Sequence, residues 1–192
     1  MKEILLIGDG GHCKSVIDVI EQEGKFSIAG IVTDKNSKVT NVLGHKVIGD
    51  DLKLPNLSNI YKYALITVGQ IYSSETRVRL FTLLTDLGYI LPSIISPRAY
   101  VSKHARIGSG TIIMHDALVN ANAIVRDNCI INSKAIIEHD SIINNHCHIS
   151  TNATVNGNVV VEKGCFIGSG ATTKNSIEIK KNSFFKAGTL IK

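Results

Sequence analysis

From Val101 onward the chain places an apolar side chain at every sixth position. Stepping by six as far as Ile191, the residues read V, I, I, V, V, I, I, I, I, V, V, I, T, I, F, I, so fifteen of sixteen are aliphatic or aromatic. A second column, offset by four and running from Ala105 to Thr189, reads A, T, A, A, C, A, S, C, A, V, C, A, I, S, T and is small or modest in size almost throughout. A helix repeats at 3.6 residues and a strand at two, so neither alone produces a strict step of six. A parallel β-helix of triangular section does. Each hexapeptide forms one flat face, three faces close a coil of eighteen residues, the bulky residue fills the prism, and the small one fits its tight interior. About five coils fit between residue 95 and the C-terminus. Residues eighteen apart then stack on adjacent coils, about 4.8 Å from one another.

The first half alternates differently. An apolar strand, ILLI at residues 4–7, runs into the glycine-rich turn GDGGHCK and an amphipathic helix, SVIDVIEQEG, closed by Gly24. A second strand, FSIAGIVTD, ends at Asp34, and a third, YALITVG, ends at Gly69 before the helix SSETRVRLFTLLTDLG. Alternating strand and helix predict a small Rossmann-like α/β domain with a parallel sheet and ligands at the carboxyl ends of its strands. Gly8, Gly10, Gly11, His12, Asp34 and Gly69 all fall at that edge. The turn lacks the full G-x-G-x-x-G fingerprint; it is either a phosphate seat at a helix start or a tight turn that needs glycine. Asp34 either accepts from a ribose or base or ends its strand, and Arg77 is either a phosphate contact or a solvated surface charge. Pro92 and Pro97 in GYILPSIISPRAYVS mark the boundary, giving an α/β domain over 1–93 and a β-helix over 94–192.

Composition narrows the functional classes. The net charge of +5 comes from dispersed lysines, aromatics make up 5% and Trp is absent, which argues against a nucleic-acid stacking surface and favours small phosphorylated ligands. No stretch of eighteen apolar residues occurs, and MKEILLIGDGGH enters a strand directly, so a cytoplasmic protein without membrane insertion is expected. Cys129, Cys147 and Cys165 are eighteen residues apart with no CxxC pair, so they read as one interior column, neither disulfides nor metal ligands.

Titratable residues crowd IIEHDSIINNHCHIS, 136–150. The eighteen-residue period stacks His139 between Ala121 and Gly157, and a glycine beside the imidazole leaves a gap and exposes a backbone N–H suited to an acyl group and its oxyanion. Glu138 and Asp140 flank the ring. Their columns contain Asn120 and Asn156, and Asn122 and Asn158. A zinc site of the β-helical carbonic anhydrase type is the rival chemistry, but no third ligand accompanies His146 and His148, so no metal is expected. Cys147 lies in the core column and is not read as a nucleophile.

The quoted GDGGHCK turn, VG at 68–69 followed by SETRVRLF, SPRAYVS and IIEHDSIINNHCHIS together resemble the PglD and NeuD type of sugar acetyltransferase, across essentially the whole chain. The resemblance implies the left hand of the hexapeptide acyltransferase β-helix and a homotrimer with acetyl-CoA between adjacent subunits. It also implies an N-terminal domain that holds a nucleotide-linked amino sugar through Asp34 and the GDGGH turn. By the same resemblance His139 is the general base, assisted by Asp140 or Glu138. Asn132 and His148 match active-site positions, and Gly157 matches the glycine whose N–H meets the thioester carbonyl. Lys174 and Lys192 share a face and are either a solvated rim or contacts to the CoA phosphates; Lys180 and Lys186 occupy equivalent places on the other faces. The expected activity is N-acetylation of a 4-amino-4,6-dideoxyhexose linked to UDP, dTDP or GDP, for O-antigen, capsule or glycan synthesis. O-acetylation of a sialic-acid-type sugar and a non-catalytic β-helical binding trimer are the alternatives.

Overall fold

The two six-residue columns form the interior of a triangular prism. In this computed structural model, which describes residues 1–192, the repeat region builds three parallel sheets of six, five and six two-residue strands. Each strand pairs with those eighteen residues before and after it: Leu118–Val119, Ile136–Ile137 and Thr154–Val155 lie on one face, Ile124–Val125, Ile142–Ile143 and Val160–Val161 on the next, and Ile130–Ile131, His148–Ile149 and Phe166–Ile167 on the third. The β-helix is left-handed. Ile137, Ile143, Ile149 and Val155 have no exposed surface, nor do Cys129, Ala135, Cys147 and Cys165 of the small column. Burial of each large aliphatic side chain contributes roughly 1.5–3 kcal/mol, so repetition of the column, and not any single contact, holds the prism.

A third column sets the corners. Asp116, Asn122, Asn128, Asp140, Asn152 and Asn158 all take φ between 55° and 61°. This is the left-handed region, where Asn and Asp are the most tolerant residues after glycine. One such residue per hexapeptide turns the chain from face to face.

The chain divides into two compact units, Met1–Gly69 with Thr76–Pro92, and Gln70–Glu75 with Ser93–Lys192. In the first, β1 (Lys2–Ile7) pairs in parallel with β2 (Phe26–Thr33) and β5 (Tyr63–Ile66). Helix α1 (Gly11–Glu23) buries Cys13, Val16, Ile17, Val19 and Ile20, and Gly24, at φ 68°, ends it by donating to Ile20 O. A hairpin has no counterpart in the sequence reading: β3 (Asn41–Val42) runs antiparallel to β4 (His45–Asp50), which pairs in parallel with β2. The sheet is therefore mixed, in the order β3-β4-β2-β1-β5. A short helix α2 (Leu54–Leu57) precedes β5, and α3 (Glu75–Asp86) follows it. Glycine is required at position 8, where φ is 117° and a Cβ would lie 2.6 Å from Val68 Cγ2. No helix is long and apolar enough to cross a membrane.

Candidate active site

His139 stands at the corner between the Ile136–Ile137 and Ile142–Ile143 faces, and Asp140 is the left-handed corner residue. That corner folds two consecutive side chains together: His139 Nδ1 lies 2.7 Å from Asp140 Oδ2. The other carboxylate oxygen, Oδ1, accepts from Asn122 Nδ2 at 2.7 Å, one coil below. The Asn122 amide, and after it the His139 ring, holds the Asp140 carboxyl below the usual carboxylate range. Asp140 is therefore ionised at neutral pH and accepts only, so Nδ1 carries the proton and the neutral ring presents its lone pair at Nε2. The pair is open to solvent, with 57% of the imidazole side chain and 49% of the carboxylate side chain exposed.

Nε2 faces Gly157. A Cβ built on Gly157 would lie 2.7 Å from Nε2 and 2.8 Å from Cε1. The expectation of a gap beside the imidazole is thus refined: the ring itself occupies the space that glycine leaves. Glu138 takes a different partner, accepting from Asn120 Nδ2 at 2.6 Å. Of the two acids flanking the histidine, Asp140 makes the contact with the ring.

Asn132 and His148 are close to His139 in sequence but belong to another face of the prism, the one carrying Ile130–Ile131 and His148–Ile149. His148 is only 7% exposed. Its Nδ1 donates to Gln70 O at 2.6 Å, and its Nε2 lies 3.1 Å from Asn132 Nδ2. The Asn132 amide is oriented by Ser133 N–H, which donates to its Oδ1 at 2.8 Å, so Nδ2 is the donor to His148. His148 is consequently a neutral imidazole with both nitrogens engaged. Gln70 extends the arrangement, its Nε2 donating to His146 O at 2.9 Å. Residues 70–72 have no periodic pattern and no motif, which is why the sequence reading missed Gln70.

At the edge of the first sheet, Gly10 and Gly11 open α1 with empty space within 4 Å of any Cβ added to them, leaving their backbone approachable. A Cβ added to Gly69 would lie 3.7 Å from His12 Cβ, an ordinary contact. Asp34 follows β2 and caps its own turn, Oδ1 accepting from Asn36 N and Nδ2 at 2.9 Å each. The expectation for Arg77 is corrected. It is 1% exposed and donates from Nη1 to Ile66 O at 3.1 Å and Val68 O at 2.7 Å, so it ties down the strand end after β5 and is neither a surface charge nor free for a phosphate. Lys174 and Lys192 are both exposed, on adjacent coils.

Hydrogen bonds to Cys129 and Cys165, followed by burial, push the Cys147 thiol up, so it supplies no thiolate. No group of three His, Cys, Asp or Glu side chains gathers to hold a metal ion. The arrangement at the 139 corner can accept a proton at one exposed, oriented nitrogen.

Residues 3–82 match the PglD N-terminal domain family. The acetyltransferase domain of PglB from Neisseria gonorrhoeae matches with a TM-score of 0.91 at 29% identity, covering 100% of this chain and 92% of that one. The same domain in complex with acetyl coenzyme A gives 0.89 at 30% identity, covering 99% and 92%. PerB from Caulobacter crescentus, in complex with CoA and GDP-perosamine, gives 0.92 at 30% identity, covering 100% and 89%. No curated protein sequence matches the chain.

Proposed function

The chain belongs to the PglD-type nucleotide-amino-sugar N-acetyltransferases, and on that premise we propose that it moves the acetyl group of acetyl-CoA to the 4-amino group of a nucleotide-linked 4-amino-4,6-dideoxyhexose, with His139 as general base. The observation that carries this reading is the His139–Asp140 pair, with Nδ1 held by an ionised carboxylate and Nε2 turned over Gly157. The relatives add chemistry to the geometry: PerB was solved with CoA and GDP-perosamine, and the PglB domain with acetyl coenzyme A.

An ammonium has no lone pair to attack with. As the amine adds to the thioester carbonyl, Nε2 takes its proton; the tetrahedral intermediate then expels the CoA thiolate, which receives that proton from the imidazolium. Asp140 holds the ring in the required tautomer and offsets the charge it gains. Gly157 donates its N–H to no acceptor within the chain, which leaves it available to the carbonyl oxygen. Gly10 and Gly11 seat the diphosphate and Asp34 accepts from the ribose or base, with Gly69 and His12 completing that edge.

The working form is a homotrimer, and two features support it. Asn132 and His148 lie on a different face from His139, so a site using all three draws them from two copies of the chain. The outward positions Ile124, Ile142 and Val160 form an apolar, half-exposed stripe that a second copy would cover. Reaction in the cytoplasm follows from where acetyl-CoA and nucleotide sugars are found.

The test is release of free thiol from acetyl-CoA with UDP- and dTDP-linked 4-amino-4,6-dideoxyglucose, GDP-perosamine and sialic acid. Turnover of one amino sugar, with His139→Ala on the order of 100-fold slower at an unchanged melting temperature, supports the reading. Turnover of sialic acid alone, or an unimpaired His139→Ala, would reject it.

A further inference from the structure

The core of the prism holds one hydroxyl at the corner that carries His139. The small inner positions there read Ala105, Ala123, Ser141, Val159 and Ile177, and Ser141 has no exposed surface. The chemistry at His139 does not use it, yet its partners lie on the coil of Gly157. Ser141 Oγ is 2.8 Å from Asn156 O and accepts from Val159 N at 3.2 Å. A carbonyl cannot donate, so the hydroxyl proton is fixed on Asn156 O.

Where alanine takes this inner position, the backbone closes the turn alone. Ala105 N donates to Ser102 O at 2.9 Å, Ala123 N to Asn120 O at 3.3 Å and Ala135 N to Asn132 O at 3.0 Å. Between Asn156 and Val159 the Ser141 hydroxyl stands in place of that direct bond. The fold therefore does not require a hydroxyl here, since alanine serves at equivalent positions on the same corner.

The consequence falls on Gly157. The Asn156 carbonyl and the Gly157 N–H belong to one peptide group, and in a trans peptide they point in opposite directions. With the C=O aimed at a core hydroxyl, the N–H is directed out of the prism, where it meets no acceptor within the chain. A hydrogen bond to the oxygen of an amide also polarises it and makes its N–H a stronger donor.

We propose that Ser141 is a positioning residue for acyl transfer: from inside the core it orients and polarises the Asn156–Gly157 peptide, so that the Gly157 N–H is a strengthened donor to the oxyanion formed from the thioester. The assignment rests on the acetyltransferase reading above and adds to it a residue that touches neither substrate. The relay runs from Val159 N–H through the Ser141 hydroxyl to the Asn156 carbonyl, and from the Gly157 N–H to the developing charge. A donor set in advance needs no rearrangement as that charge forms.

Two substitutions separate donation from packing. Thr111 fills the matching inner position on another corner and makes the same pair of bonds, donating from Oγ1 to Arg126 O at 2.6 Å and accepting from Cys129 N at 3.0 Å. Threonine thus fits the column and keeps the donor, whereas alanine fits and lacks it. The experiment measures thiol release for wild type, Ser141→Ala and Ser141→Thr. Alongside, it follows the Gly157 amide resonance in selectively glycine-labelled protein, identified by its disappearance in Gly157→Ala. Ser141→Ala should lower kcat about five- to tenfold, with KM for both substrates, the pH profile and the melting temperature close to wild type. The Gly157 amide proton should move upfield in the same variant, and Ser141→Thr should restore both rate and resonance. Wild-type turnover in Ser141→Ala, equal losses in the two variants, a loss confined to KM, or an unmoved resonance would each overturn the assignment. The underlying reading fails differently. Wild-type protein silent with every amino sugar refutes the acetyltransferase and this role with it; turnover untouched by Ser141→Ala refutes the role and leaves the enzyme standing.

Discussion

With His139 in the proposed role of general base, a single methyl group at position 157 should separate catalysis from stability. Gly157 has an ordinary backbone conformation, so alanine there incurs no strain and reduces the freedom of the unfolded chain, which typically stabilises by about 0.4–1 kcal/mol. The obstacle is the His139 ring. With Nε2 at 2.7 Å and Cε1 at 2.8 Å from the new Cβ, against an ordinary contact that begins at 3.4 Å, the imidazole must retreat by at least 0.7 Å. Nothing prevents it, because more than half of the side chain faces solvent. The retreat turns Nδ1 away from Asp140 and moves Nε2 from its place. Displacements approaching 1 Å in a catalytic group cost on the order of 100-fold, or about 2.7 kcal/mol of barrier. Gly157→Ala should therefore melt at or slightly above the wild-type temperature and lose roughly two orders of magnitude in kcat, measured by thiol release under saturating acetyl-CoA and amino sugar. Retention of kcat within a few-fold, at unchanged stability, would refute the placement of Nε2 as the working nitrogen.

Two further perturbations probe the groups around this site. Asn122→Ala removes the largest influence holding down the Asp140 carboxyl. That carboxylate acts only while ionised, so its contribution is present above its folded pKa and lost as pH falls through it; the variant should lose activity on the acid side at a higher pH than wild type, and carboxyl-resonance titration should show Asp140 moving towards ordinary carboxylate values. Identical titrations would remove Asn122 from the account. Arg77→Met leaves the carbonyls of Ile66 and Val68 without their buried charged donor and should lower stability by about 2–4 kcal/mol in denaturant titration. Lysine there should recover part of the loss, since one nitrogen, Nη1, now serves both carbonyls and an ammonium also carries more than one N–H; a loss of nucleotide affinity without a loss of stability would restore the phosphate role that its burial argues against.

The repeat was readable because the prism imposes one environment on each column. Ile137 and Cys147 have no alternative to the interior, and that necessity is written every six residues. The left-handed corners are equally regular, with Asn122, Asn128, Asp140 and Asn158 at one phase, and they explain why His139 and Asp140 meet although neighbours on a strand diverge. Other features leave no such trace. Burial of Arg77 depends on two carbonyls that end a strand, and SETRVRLF shows only a charged residue early in a helix. β3 and β4 are short, their NVLGHKVIGD pairing with residues whose nearness is tertiary. Gln70 and Tyr72 owe their positions to a segment that packs on distant coils, so their partners His148 and Phe184 lie more than seventy residues away in sequence. The site was legible where it is periodic and hidden where it is not.

The corner residues also bear on how such a protein can change. A left-handed corner requires a backbone shape, and Gly164, Ser176, Lys134 and His146 meet it alongside the Asn and Asp residues. The prism therefore tolerates varied side chains at the vertices while its interior stays fixed. Asp140 occupies one of these permissive vertices, so exchanging it for asparagine or glycine would preserve the architecture and silence the histidine beside it. Activity in this scaffold can be gained, altered or abandoned by lineages that never risk the fold.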